Sequence, residues 1–577
     1  MKGVGCIDRA LEYCIDRNGK LNRSHDGVMS RTTVLLLFVC LLAAIPMFFF
    51  GATYYIDYDG YWHVFIARLD WRNMLVDSKA TAHPPLFFFL LKAVTKLGAS
   101  RLVYRLVSIL SGIGATFLIG QIAHKVTGST ALASLTAFIF GLSQATLAVA
   151  CEVRSYMLCS FFVLLSFYLF LDIVRLDRAR PAARTRIGFI ICSCLAILSH
   201  YSAAFFLFAC LAAPVCMAAL NDNYRARLWR FLSAEWRANV LTILPTATLG
   251  ATLYWFQGRI FAAPLPYIAQ YYFDPGGMES RTAFLLRNSG TIIELFSPRF
   301  TSGWFRFAPT LFALCGIAAT IIYYAWFRSS RNILADMTVV VFLLMLGGFM
   351  AASLLGRYPF GGELRHQFLL FPFLVLSIIL FLDRLATLTR LPQARAGALL
   401  LGVVAGSVNA KMNYNSFPNI RADLAAQDMI LFRKLFPSPD AVLLDQFNTI
   451  IFFTHYHDWT WRPTGAYGSI YRHEVSKNGM VFAVARDNSI WNFDFSEAHL
   501  YVDINRVLAT TAARSVTVFC IEQRASDQPH TLHEKEEFQK KVQTLSAQAG
   551  LRTKRLVVEG RDIFAEFVSA EGDTASP

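Results

Sequence analysis

Side chains that could carry out chemistry are concentrated in four short polar segments between apolar runs. The first, residues 54–85, contains Asp57, Asp59 and His83. The other three are CEVRSY, SHYS and GRYPFGGELRHQ, and they contribute Glu152, Arg154 and Tyr156, then His200 and Tyr201, then Arg357, Tyr358, Glu363, Arg365 and His366. Ionisable groups at the edge of a membrane interior are costly, so this concentration favours a functional site.

These residue types suit two kinds of chemistry. A carboxylate can accept a proton from a hydroxyl group or bind a metal ion, and arginine can bind a phosphate through two parallel hydrogen bonds. Taken pair by pair, Glu152 with Arg154 or Glu363 with Arg365 is equally well explained as an ion pair at a helix end, and segment 54–85 as a solvated loop. Scattered histidines more often indicate interfacial hydrogen bonding than a metal site.

The composition indicates a polytopic α-helical membrane protein. Hydrophobic residues make up 55% of the chain and charged residues 16%, and the mean hydropathy is +0.43. The net charge of +15 lies in short loops between apolar runs, which is the positive-inside pattern and argues against nucleic-acid binding. The eleven cysteines show no paired metal spacing, so we predict neither a disulfide framework nor a zinc site.

Apolar runs of spanning length predict about eleven transmembrane helices. They lie near 33–51, 103–122, 131–150, 156–174, 187–199, 202–220, 238–256, 307–327, 333–355, 367–383 and 396–410. Run 85–98 is too short to cross and carries Lys92 and Lys96, so it predicts an interfacial helix. With the N-terminus inside, the arginine-rich loops then fall on the cytoplasmic side and the four polar segments on the outer face.

The chain is expected to divide into three parts: a cytoplasmic segment 1–32, a membrane domain 33–410 with a large first outer loop 52–102, and a soluble α/β domain 411–577 outside the membrane. In the last part VLLDQF, MVFAV, SVTVFCIE and TKRLVVEG predict strands, and residues near 420–436, 498–512 and 532–549 predict amphipathic helices. No glycine-rich phosphate loop follows these strands, so we assign no nucleotide binding.

The polar segments occur in an order that resembles a known family. Asp59 with Arg68, HPPL at 83–86, EVRSY at 152–156 and HY at 200–201 are followed by a late arginine- and histidine-containing loop. This order resembles the bacterial polyprenyl-phosphate-sugar glycosyltransferases, GT-C enzymes of the protein O-mannosyltransferase and aminoarabinose-transferase type, often called glycosyltransferase family 39-like. The resemblance covers the membrane half. It departs from the family at Gly60, where the family has a second acid, and Asp57 is the candidate substitute.

The resemblance implies the GT-C architecture and an inverting transfer of a sugar from a polyprenyl-phosphate donor to an acceptor outside the bacterial cytoplasmic membrane. Asp59 is the expected base, with Asp57 and Glu152 as further catalytic candidates. The expected phosphate-binding residues are Arg154, Arg357, Arg365 and His366, and the expected site-lining residues are His83, Tyr156, His200, Tyr201 and Tyr358. We expect the helix at 85–98, with Lys92 and Lys96, to hold the polyprenyl chain and attract its phosphate.

No cofactor is required by this scheme, although a divalent metal ion is a further possibility, with Asp59, His83 and Glu152 as candidate ligands. The expected partners are the lipid-linked sugar donor, the acceptor and the bilayer. Two alternatives are a transporter or lipid flippase for envelope precursors, whose substrate path also gathers charged groups, and a catalytically inactive GT-C scaffold, an alternative that the missing second acid leaves open.

Overall fold

The computed structural model describes most of the membrane half and part of the C-terminal region. The described residues are 30–53, 56, 58–80, 83–98, 100–175, 183–220, 222–257, 270–296, 332–389, 424–444, 474–475, 481–484, 498–510, 513–521, 532–559 and 562–570. Asp57 and the predicted spans at 307–327 and 396–410 lie outside these residues.

The described part of the membrane half is helical. Its α-helices are α1 (Arg31–Thr53), α2 (Tyr58–Arg68), α3 (Trp71–Ala80), α4 (Leu86–Val94), α5 (Arg101–Thr127), α6 (Thr130–Gly141), α7 (Gln144–Ala150), α8 (Tyr156–Ile173), α9 (Ala183–Ser199), α10 (Ala203–Leu220), α11 (Asp222–Ala234), α12 (Trp236–Phe256), α13 (Arg281–Phe296), α14 (Ile333–Leu354), α15 (Leu364–Gln367) and α16 (Phe371–Thr389).

Five helical segments of the described residues are long and apolar enough to cross a membrane, or six if a bent pair counts as one span. The bent pair is α6 and α7, which differ in direction by 58°, where the sequence predicted a single straight run at 131–150. The break occurs because Ser143 caps the second helix: its hydroxyl oxygen accepts a hydrogen bond from the backbone N–H of Thr146 at 3.1 Å. The predicted number of about eleven spans therefore stays a prediction.

The short run after Pro85 forms α4, a helix of nine residues followed by one 3₁₀ turn at Thr95–Leu97. At 1.5 Å per residue it is too short to cross a membrane, as predicted. It packs against α2 and α5. The ammonium group of Lys92 is not directed at a separate phosphate site. It donates to the carbonyl oxygens of Ala67 and Leu69 and so caps the C-terminal end of α2.

A buried arginine on α5 joins the ends of two other helices. Arg105 is only 1% exposed; it donates to the carbonyl oxygen of Gly51 at 2.8 Å and to that of Cys151. The Gly51 carbonyl lies in the last turn of α1 and the Cys151 carbonyl belongs to the residue that caps the end of α7, where no intrahelical donor is available. The turn at 151–155, which carries Glu152 and Arg154, is thereby held against α5.

Two consecutive glycines shape the loop before α15. Gly361 and Gly362 have φ of 89° and 82°, in the left-handed region. A Cβ atom at Gly361 would lie 2.7 Å from Oδ1 of Asn288, and one at Gly362 would lie 2.7 Å from the ring of Tyr271. The loop is anchored there because the backbone N–H of Phe360 donates to the carbonyl oxygen of Tyr271 at 2.9 Å. Glycine is thus required for both conformation and space.

The described C-terminal residues contain a mixed six-stranded sheet in the order β2-β3-β1-β4-β6-β5. Its elements are α17 (Leu424–Leu435), β1 (Ala441–Leu444), β2 (Glu474–Val475), β3 (Val481–Val484), α18 (Ala498–Thr510), β4 (Ser515–Ile521), α19 (Leu532–Gln548), β5 (Leu551–Glu559) and β6 (Asp562–Ser569). Strand β1 pairs in parallel with β3 and β4 and is fully buried, which explains its unbroken apolar run. All four predicted strands are present, whereas β2 and β6 were not predicted.

We predict that Gly361→Ala destabilises the loop that leads into α15 by about 1–2 kcal/mol, the usual cost of a left-handed conformation for a residue with a Cβ, plus the contact with Asn288. Thermal unfolding in detergent measures the loss. Gly356→Ala, at φ 66° with nothing within 4 Å of the added Cβ, isolates the backbone strain. Gly347→Ala, in α14 with the same open space, should be neutral or stabilising by up to about 1 kcal/mol. Equal melting temperatures for the Gly361 and Gly347 variants would contradict the assignment.

Candidate active site

Three separate parts of the chain meet at the carboxylate of Asp59, in the first turn of α2. Its Oδ2 atom accepts hydrogen bonds from Nη2 of Arg154, in the turn at 151–155, and from Nη2 of Arg365, on α15, at 3.3 Å. Arg365 also forms an ion pair with Glu363. Three of the four polar segments that were predicted to share one face therefore meet at one carboxylate oxygen.

The arginines at this junction are largely removed from water. Arg154 is 4% exposed, and the side chains of Arg365 and Asp59 are 16% and 30% exposed. Burial by itself would raise the pKa of the Asp59 carboxyl, but the charges of Arg154 and Arg365 and the hydrogen bond from Arg154 outweigh it, so this pKa lies below its usual range. Asp59 is consequently ionised at neutral pH.

The backbone around the junction is tied to neighbouring elements. The carbonyl oxygen of Arg154 accepts a hydrogen bond from the hydroxyl of Ser108, on α5, at 3.1 Å. The carbonyl oxygen of Asp59 is contacted by Nδ1 of His63, one helical turn later on α2. The two charged side chains therefore project from fixed backbone positions.

Beside the charged junction lies a cluster of rings around Tyr156. The ring centroid of Tyr156 is 4.5 Å from that of His200, 6.1 Å from that of His83 and 6.3 Å from that of His366. His366 is in turn 6.5 Å from Tyr358. All five of these residues were predicted to line or contact the site, and the structure brings them together.

Histidines of this cluster are neutral. Burial, assisted by the nearby charge of Arg154, lowers the pKa of His200 to about 3. Burial also lowers the pKa of His83 well below its ordinary value, and the charges of His63, His200 and the two arginines act in the same direction. Nδ1 of His200 lies 2.8 Å from the hydroxyl of Ser202. Neutral rings can donate or accept one hydrogen bond each without adding charge.

Other predicted residues lie at the margin of the junction or beyond it. Glu152 is partly buried in the same turn as Arg154, and Tyr201 lies next to His200. Arg357 is exposed, and its backbone N–H donates to the carbonyl oxygen of Ala352 at 2.8 Å. A phosphate-binding role for Arg357 stays a prediction.

Two residues of the site were not identified from the sequence. The side-chain amide of Gln257, which is 5% exposed, donates to the carbonyl oxygens of His83 at 2.9 Å and Ser78 at 2.8 Å, and its oxygen accepts from the hydroxyl of Tyr201 at 2.6 Å. Gln257 therefore fixes His83 against the turn that carries His200. A lone glutamine at the end of an apolar run gives no signal of this, whereas His63 could have been found from its four-residue helical spacing from Asp59.

The side chains do not group as metal ligands. Among the residues that the structure describes, no three His, Cys, Asp or Glu side chains are close enough together to hold a metal ion. The Asp59 carboxylate is already engaged by two arginines. The arrangement gives no support to a metal site built from Asp59, His83 and Glu152, which stays a prediction.

We predict that the neutral state of His200 makes the protein less stable in acid. An unfolded histidine binds a proton below about pH 6.5, whereas folded His200 does so only near its lowered pKa, so stability is lost as the pH falls from 6.5. Between pH 7 and 5 His200→Gln should lose about 2 kcal/mol less stability than the wild type. Unfolding in detergent at both pH values measures this, with His124→Gln on α5 as control. An identical pH dependence for wild type and His200→Gln would refute it.

Comparisons with known proteins find a related family and related folds. The model of a family described as dolichyl-phosphate-mannose-protein mannosyltransferase matches residues 82–255. That segment contains HPPL, EVRSY, the His200–Tyr201 pair and most of α12. No curated protein matches the sequence significantly.

Solved structures match over nearly the whole chain. The crystal structure of ArnT from Cupriavidus metallidurans bound to undecaprenyl phosphate superposes with a TM-score of 0.53 at 12% identity, covering 95% of this chain and 100% of that one. The apo form of the same protein gives a TM-score of 0.51 at 11% identity, with the same coverage. The oligosaccharyltransferase of Archaeoglobus fulgidus gives 0.44 at 13% identity, covering 84% of this chain and 68% of that one.

The chain thus has the fold of ArnT, and residues 82–255 carry the sequence pattern of the dolichyl-phosphate-mannose-protein mannosyltransferases, which confirms the predicted resemblance to the GT-C glycosyltransferases.

Proposed function

We propose that the protein is a membrane glycosyltransferase that moves a sugar from a polyprenyl-phosphate donor to a hydroxyl of an acceptor outside the cytoplasmic membrane. The observation that carries this proposal is the ionised carboxylate of Asp59 held between Arg154 and Arg365. A base and two fixed cations at one point are the groups that such a displacement requires. The lipid phosphate in the ArnT structure supports the choice of donor.

In the proposed reaction, Asp59 accepts the proton of the acceptor hydroxyl as its oxygen forms a bond to the anomeric carbon. The bond between that carbon and the phosphate oxygen breaks at the same time, and its electron pair leaves with the phosphate. The displacement inverts the configuration at the anomeric carbon. No nucleotide sugar and no ATP take part, since the donor carries its own leaving group.

The growing negative charge on the departing phosphate needs fixed positive donors. Arg154 and Arg365 supply them, and their burial strengthens the interaction because little water competes. Each guanidinium can donate two parallel hydrogen bonds to phosphate oxygens. Arg357 and His366 are additional candidates for binding this phosphate.

The neutral rings then form the wall of the sugar and acceptor site. Tyr156, His200 and His83 lie together beside the charged junction and offer polar atoms without charge. Tyr358 and Tyr201 extend this wall, and Glu152 orients the acceptor. We further propose that the site and the C-terminal sheet both face the outside, with the N-terminus in the cytoplasm.

We predict that Asp59→Asn lowers the rate of sugar transfer at least about 100-fold, because an amide cannot accept the proton. Formation of glycosidic product from polyprenyl-phosphate sugar in detergent is the measurement, with the melting temperature as a check on folding. Asp70→Asn is the matched control: Asp70 is an exposed carboxylate of the same loop that caps α3, and asparagine preserves that cap.

Wild-type turnover by Asp59→Asn would exclude Asp59 as the base. The alternative of a transporter or flippase predicts another outcome: substrate flux across proteoliposomes without any glycosidic product. An inactive scaffold predicts neither flux nor product from the wild-type protein.

A further inference from the structure

The carboxylate of Asp59 occupies the position that an anionic ligand of the two arginines would take. A single atom, Oδ2, accepts from Nη2 of both Arg154 and Arg365. Phosphate oxygens are bound by arginine through the same charge-assisted hydrogen bonds. Asp59 therefore stands in the place of the anion.

The arginines at the junction are engaged by carboxylates before any ligand arrives. Arg154 and Arg365 contact Asp59, Arg365 also contacts Glu363, and the charge of Glu152 acts on Arg365 as well. A phosphate that entered while Asp59 kept its place would lie against a carboxylate in a partly desolvated site, where like charges repel strongly. An added phosphate therefore competes with the Asp59 carboxylate for the Nη2 groups of Arg154 and Arg365.

The geometry allows Asp59 to leave without disturbing the fold. Its side chain is 30% exposed, so the position between the arginines is open on one side, whereas Arg154 is only 4% exposed and its backbone carbonyl oxygen is held by Ser108. The backbone of Asp59 is held separately, because Nδ1 of His63 contacts its carbonyl oxygen. The carboxylate can therefore rotate away while α2 stays in place.

We propose that Asp59 is an internal competitor for the donor phosphate: the lipid phosphate displaces its carboxylate from Arg154 and Arg365, and this displacement frees the carboxylate to meet the acceptor. The inference rests on the proposed function and adds an order of events to it. A carboxylate that has left two guanidinium groups is a better proton acceptor, so the base is released only when the donor is bound.

The test is the affinity for undecaprenyl phosphate in detergent micelles. Removal of the competing charge in Asp59→Asn should lower the Kd about tenfold, equivalent to about 1.4 kcal/mol, although the same variant loses sugar transfer. Asp59→Ala cannot form a hydrogen bond with either arginine, so it should bind undecaprenyl phosphate at least as tightly as Asp59→Asn. Agreement between the two variants excludes a folding defect that is specific to one of them. Asp70→Asn should bind like the wild type, and undecaprenol, which lacks the phosphate, should not distinguish wild type from Asp59→Asn.

Two further variants locate the competition. Glu363→Gln removes a carboxylate that contacts Arg365 alone, so its gain in affinity should be smaller than that of Asp59→Asn. In the Arg365→Gln background the gain from Asp59→Asn should shrink, because one of the two shared donors is gone. An undiminished gain in that background would overturn the assignment of Arg365.

The outcomes separate this inference from the proposed function. If both Asp59 variants bind undecaprenyl phosphate no more tightly than the wild type does, the displacement is overturned and the glycosyltransferase proposal still stands. Failure of every form to bind undecaprenyl phosphate overturns the proposed donor, and the displacement with it.

Discussion

The ion pairs of Asp59 with Arg154 and Arg365 are the constraint on which the rest of the site depends. They join α2, the turn at 151–155 and α15, which are far apart in the chain. A buried charge that loses its partner is strongly destabilising, so Arg154 and Arg365 depend on the Asp59 carboxylate. The fold therefore has to bring these three segments together, and the site is formed as a consequence.

Hydrogen bonds to backbone carbonyl groups support this charged centre. Arg105 and Gln257 place their donors on backbone carbonyl groups at helix ends and turns, which would otherwise be buried without a hydrogen-bond partner. The glycine pair at 361–362 lets the loop approach Tyr271 and Asn288 closely enough to direct Arg365 toward Asp59. Such supports hold the charged side chains in defined positions.

The ion pairs have a consequence for the proposed function. Under that proposal the arginines are kept in position for the phosphate before it binds, and the carboxylate that holds them is the same one proposed to act as the base. Preorganised donors of this kind need little rearrangement when charge develops. Binding and catalysis are then linked through one residue.

The sequence by itself determined the membrane class, the short helix at 86–94, the four main predicted strands and the polar segments that meet in the site. These follow from local information: hydropathy, length and alternation are properties of neighbouring residues. Other features required the tertiary structure: the bend between α6 and α7, strand β6, the capping role of Lys92 and the hydrogen bonds of Gln257. Each depends on which carbonyl group or strand edge lies opposite, and that is decided by packing between residues distant in sequence. The pairing of Asp59 with two arginines belongs to the same class, because sequence indicates that charges gather on one face but not which atoms touch.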